Sequence, residues 1–143
     1  MADINKLQTT IPTAAGETLG GLGQIRQLIA PGNITTPIID LTWGGGITFA
    51  KKAAAIAEAH ARSIAFHDCS GPVTLTASVH LAMAATNVCE QEFTRAFYYG
   101  WYDNLLNQLP PVSNGMISAP QGHGLGVSLN DSLLSRATIR SSE

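Results

Sequence analysis

The sequence predicts an α/β fold built from about four parallel βα units. Short apolar, strand-like runs alternate along the chain with helical patterns, and strands separated in this way join one parallel sheet only through crossover connections. Four ionisable residues, Glu17, Asp40, His67 and Glu92, each stand at or just after the end of one such run. They lie 23, 27 and 25 residues apart, the period of a strand, a loop, a helix and a loop. All four side chains should therefore project from one rim of the sheet, at the carboxyl ends of the strands, where βα-repeat folds bind ligands.

Ile11 to Gly16 reads as the first strand, with Pro12 inside it. Gly20, Gly21 and Gly23 loosen the chain before a helical pattern from Gln24 to Ile29, which Pro31-Gly32 ends. Thr36 to Leu41 is the second strand. Gly44-Gly45-Gly46 then turns the chain into the strongest helix, Ile47 to Ala61, with Ile47, Ala50, Ala54, Ala57 and Ala61 on one face. Ser63 to Phe66 is the third strand. Gly71-Pro72 opens a helix through Ala85, with Pro72 in the first turn, where its missing N–H costs little. Val88 to Glu92 is the fourth strand. Beyond it the periodicity stops: an aromatic cluster (Phe97, Tyr98, Tyr99, Trp101, Tyr102) sits in a short helix running to Leu109 before Pro110-Pro111. A hairpin-like turn at Ser113-Asn114-Gly115, the glycine-rich 122–126 segment and a polar end follow. This tail is expected to lie across a surface.

A chain of 143 residues reads as one domain, 1–143, with βα units over about 11–92 and a tail over 93–143. It is long enough to bury a core, but too short for a closed eight-stranded βα barrel of about 250 residues. A net charge of −2 without a basic cluster argues against a nucleic-acid partner or an anionic membrane surface. No apolar run approaches the roughly 18 residues that span a bilayer, and Met1 to Thr10 lacks a signal-peptide layout. The expected location is the cytoplasm. Cys69 and Cys89 are too few for a disulfide framework and lack zinc spacing, so both read as reduced thiols.

The residues of the rim also carry a resemblance. Ala15-Gly16-Glu17, Pro37-Ile38-Ile39-Asp40 with Gly44-Gly45-Gly46-Ile47-Thr48, Ala65-Phe66-His67-Asp68-Cys69-Ser70-Gly71-Pro72-Val73 and Gln91-Glu92 resemble the second half of the mandelate racemase/muconate lactonizing branch of the enolase superfamily. The run from His67 to Val73 is most similar to that branch's sugar-acid (galactonate-type) dehydratases. The tail from Arg95 through Leu129, with Gly100-Trp101-Tyr102 and Gly124-Leu125-Gly126, is similar to the ends of those enzymes. The resemblance covers nearly the whole chain. It implies a partial (βα)8 TIM-type barrel, its C-terminal half, and a Mg²⁺-dependent carbon–oxygen lyase acting on a small sugar acid.

Position by position, Glu17 matches the last of three carboxylates that hold the magnesium, and Asp40 with His67 matches the family's dyad. Glu92 matches the acid that hydrogen-bonds the substrate carboxylate as it becomes an enediolate. These residue types suit the chemistry. A proton α to a carboxylate is too weakly acidic for an imidazole unless the resulting dianion is held by a metal and a nearby donor. Several parts of the family pattern have no match here: two further metal carboxylates, a Lys- or His-based group, the early barrel strands and a capping domain. A lone carboxylate holds Mg²⁺ weakly or not at all. Phe49 replaces an acid usual after Gly-Ile-Thr, and His123 replaces a proline common in the tail.

Each residue also has a plainer role. Glu17 suits the positive start of a helix, Asp40 suits a turn ahead of a helix, and His67 suits a locally satisfied histidine. Glu90 lies two residues before Glu92 on the same strand, and the match with Gln-Glu selects Glu92. His60 and His80 read as helix-surface or core-edge residues. Cys69 needs a bend to meet His67 as a nucleophile, and Gly44–Gly46 lacks phosphate-loop spacing and its lysine.

The sheet would expose two unpaired edges, so self-association, or a complementing N-terminal half, is expected. The functional alternatives are a dehydratase half-site and a catalytically silent relative serving as an oligomerising or binding module.

Overall fold

Four short strands lie side by side in chain order and run parallel, as the alternation of strands and helices requires. The computed structural model describes residues 10–30 and 34–135. The Pro31-Gly32 helix stop, the first nine residues and the polar end therefore lie outside the described residues. Strand β1 is Ala14–Ala15, β2 Thr36–Ile39, β3 Ile64–Phe66 and β4 Val88–Gln91. Between them run α1 (Leu22–Ile29), a one-turn α2 (Leu41–Gly44), α3 (Ile47–Ala59) and α4 (Pro72–Ala84). Among the described residues no helix is long and apolar enough to cross a membrane.

The first strand is shorter than the Ile11–Gly16 run. Pro12 has no N–H for a ladder, and Gly16 at φ +124 turns the chain aside after Ala15. Leu41 leaves the second strand because Asp40 caps a helical turn that starts there. The long helix ends at Ala59 rather than Ala61, which takes φ +52, a left-handed helix stop. Ile47 is about half exposed, so the buried face of α3 starts at Ala50 and includes Ala53. These alanines let α3 approach the sheet closely. They meet Ile39, Ile64, Phe66, Ile25 and Ile29 in the main core.

Helix α4 is buried on two faces. Ala77 and Leu81 join the main core, while Leu75 and Val79 pack against Tyr102, Phe97, Tyr98, Leu109 and Ile117 of the tail. The tail thus covers apolar surface, and Leu125 reaches the main core itself. Its helix to Leu109 is broken into α5 (Arg95–Tyr98) and a 3₁₀ turn at Tyr102–Asn104. Gly100 sits between them, where a Cβ would lie 2.3 Å from the Ala96 carbonyl oxygen. The expected hairpin forms β5 (Val112–Ser113) and β6 (Met116–Ile117). Asn114 and Gly115, at φ +52 and +75, make the two-residue turn that such hairpins favour. A last turn, α6, spans Asp131–Leu134.

Candidate active site

Asp40, His67 and Glu92 are each the first residue past a strand, and backbone hydrogen bonds set them level. The His67 amide donates to the Ile39 carbonyl at 3.0 Å, and the Glu92 amide to the Phe66 carbonyl at 2.8 Å. A register shift between β3 and β4 places Glu90, not Cys89, opposite Ala65. That extra residue in β4 leaves Glu90 exposed on the strand and Glu92 at the rim.

Asp40 is 1% exposed, and its two oxygens divide its work. Oδ1 accepts the Thr42 and Trp43 amides at 2.7 and 2.9 Å, which caps α2. Oδ2 accepts from His67 Nδ1 at 2.9 Å and from the Ser70 hydroxyl at 2.7 Å. The plain helix-cap role and the imidazole-partner position therefore coexist in one side chain. Burial alone would push its pKa up. The Ser70 hydroxyl, the His67 ring and the Trp43 and Thr42 amides outweigh burial and hold the carboxyl below its usual range. A charged acceptor at Nδ1 leaves Nε2 of a neutral His67 as the free lone pair.

His67 Nε2 faces Glu92 Oε2 at 3.8 Å, near enough for charge attraction and too far for a hydrogen bond. The indole of Trp43 lies 5.0 Å from the imidazole, centroid to centroid, with the rings tilted by 39°. Cys69 Sγ is 3.9 Å from Nδ1, on the side already occupied by Asp40. Burial, and then the charge of Asp40, push this thiol up, away from the thiolate a nucleophile needs.

Glu17 is placed differently. Gly16 separates it from the last residue of β1, and its Oε2 accepts the Gly16 amide at 3.1 Å. The structure gives it no bond to Asp40, His67 or Glu92. Among the described residues no group of three or more His, Cys, Asp or Glu side chains is placed to hold a metal ion. A single carboxylate does not fit the six-oxygen shell of magnesium.

Sequence reasoning passed over Ser70, Trp43, Asp68 and Thr94. Ser70 and Asp68 lie inside the run from Ala65 to Val73, but nothing in their spacing separates them from ordinary loop residues. Asp68 is 4% exposed, and both its oxygens are occupied.

The sequence profile of the family described as "enolase C-terminal domain-like" matches residues 1–133. The chain belongs to that family. A D-galactonate dehydratase from Xanthomonas campestris pv. campestris (strain B100) is 34% identical over 134 residues, covering 90% of this chain and 35% of the relative. One from Verminephrobacter eiseniae (strain EF01-2) is 33% identical over 132 residues, covering 89% and 35%. Among solved structures, an enolase protein from environmental shotgun sequencing of the Sargasso Sea superposes with a TM-score of 0.86 at 37% identity, covering 95% of this chain and 37% of that one. The chain thus spans about a third of the length of the curated relatives it matches. Its four βα units are a part of the TIM-type barrel of the enolase superfamily, in its mandelate racemase-like branch.

Proposed function

We propose that this chain carries the base-bearing part of a sugar-acid dehydratase site. The observation that supports it is His67, bound through Nδ1 to a buried, ionised Asp40 while Nε2 stays free beside Glu92. In this reading Nε2 takes the proton α to the substrate carboxylate. The C–H electron pair moves into the Cα–carboxyl bond, giving the enediolate. Asp40 then stabilises the charge of the new imidazolium, and Glu92 hydrogen-bonds the substrate carboxylate as it becomes the enediolate. The β-carbon–oxygen bond breaks as the pair returns to form Cα=Cβ, and the departing hydroxyl takes a proton from the imidazolium and leaves as water. The enol formed relaxes to a 2-keto-3-deoxy acid.

The reaction needs charge stabilisation that His67, Asp40 and Glu92 do not supply alone. Magnesium is the ion proposed for the whole site, with Glu17 as this chain's one contribution. The lone carboxylate is the observation that favours a second reading, a catalytically silent relative that assembles or binds.

Mixing the chain with the first two-thirds of the Xanthomonas relative, Mg²⁺ and a panel of aldonic acids including D-galactonate separates the two. The dehydratase reading expects 2-keto-3-deoxy product, lost on His67→Asn with little change in melting. An assembled but inactive pair would favour the silent module. Turnover that survives His67→Asn would remove the base assignment.

A further inference from the structure

The buried carboxylate beside His67 has no part in the chemistry described so far. Asp68 Oδ2 accepts the Thr94 amide at 2.7 Å, and Oδ1 accepts the Tyr102 hydroxyl at 2.9 Å. The Thr94 hydroxyl donates to the Asp68 carbonyl. The Asp68 amide, in turn, donates to Glu92 Oε2 at 3.3 Å. One residue therefore ties the loop after β3 to the loop after β4 and to the tail.

Glu92 is the least protected of Asp40, His67 and Glu92, with 40% of its side chain exposed. An exposed glutamate samples several rotamers unless something holds it. Among the described residues, the bond that holds its carboxylate comes from the Asp68 amide. The residue that carries that amide is held by the two bonds at its carboxylate. Tyr102 is itself fully buried, between Leu75 and Val79 of α4. Burial and the bond to Asp68 push its phenol strongly up, so it remains a donor. Anchoring a tail by packing alone needs no buried charge, since a desolvated carboxylate is costly even when paired.

We propose that Asp68 and Tyr102 are positioning residues that hold Glu92 opposite His67, which makes the C-terminal tail part of the site. The proposal rests on the dehydratase reading only for what Glu92 does once it is held. The connection between Tyr102, Asp68 and Glu92 is a property of this chain by itself.

The test follows the Asp68 amide proton by NMR across acid pH in the full chain. Its shift should show an inflection as the Glu92 carboxylate is protonated, assigned by its disappearance in Glu92→Gln. In Tyr102→Phe, which keeps the ring and removes the donor, the amplitude of that inflection should fall at least about twofold, because hydrogen bonds weaken steeply as their geometry slackens. Val79→Ala loosens the packing around Tyr102 without touching Asp68, and it should leave the inflection intact. An unchanged inflection in Tyr102→Phe, or an equal loss in Val79→Ala, would overturn the proposal and leave Tyr102 a plain anchor. This readout needs no turnover, so an inactive complemented assembly would count against the dehydratase reading and not against the positioning role of Asp68 and Tyr102.

Discussion

The rim over β2, β3 and β4 and the rim over β1 belong to one sheet but are built differently. Over the first three strands, each functional side chain is the first residue past its strand. Asp40 there collects four donors, and His67 is held between two carboxylates. Over β1, Gly16 intervenes, and Glu17 turns back onto a neighbouring amide. The contrast separates what local sequence settles from what needs more chain. A base can be oriented by three adjacent loops, whereas a hard cation needs several oxygens brought together.

Four perturbations test that contrast. The largest effect is expected from His67→Asn, which should cut turnover of the complemented assembly by at least about 100-fold, as loss of a general base does; a product assay reads it. Asp40→Ala comes next. It removes a helix cap worth about 1 kcal/mol and strands donors worth a further ~1–3 kcal/mol, so urea unfolding should show a loss of about 2–4 kcal/mol.

A smaller effect separates charge from capping. The folded carboxyl of Asp40 sits below its usual 3.8, so its ionised form stabilises the fold above that pH. The contribution disappears as pH falls through the lower folded value. Asp40→Asn should therefore flatten the acid limb of stability against pH, and an unaltered limb would mean that the charge does not stabilise the fold. The smallest effect is expected at Glu17. Glu17→Gln should change stability by no more than about 0.5 kcal/mol, and Mg²⁺ should not shift the Tm of the chain alone. A magnesium-dependent rise lost in Glu17→Gln would show that the β1 rim is a metal site after all.

The same contrast governs what could be read from the sequence. The period of the four ionisable residues and the alternation around them were enough for a parallel sheet and for Asp40 and His67 at strand ends, while choosing Glu92 over Glu90 took the match with Gln-Glu. Capping and Gly-dependent turns were only partly legible. Asp40 reads both as a turn residue and as a site residue, and its two oxygens fill both roles. The hairpin at Asn114-Gly115 was legible because the turn needs two residues at positive φ. The break at Gly100 and the helix stop at Ala61 turn on local backbone geometry that no side-chain pattern marks, and were not. Ser70, Asp68 and Tyr102 were missed for a further reason: their partners lie 26 to 34 residues away, and no periodicity marks a hydrogen bond across loops.

The tautomer of His67 tests the central claim most directly. Long-range ¹H–¹⁵N NMR of the neutral imidazole should show Nδ1 protonated against Asp40 and Nε2 bare. A proton on Nε2 instead would leave no lone pair on the side of Glu92 and would contradict the assignment of His67 as the base.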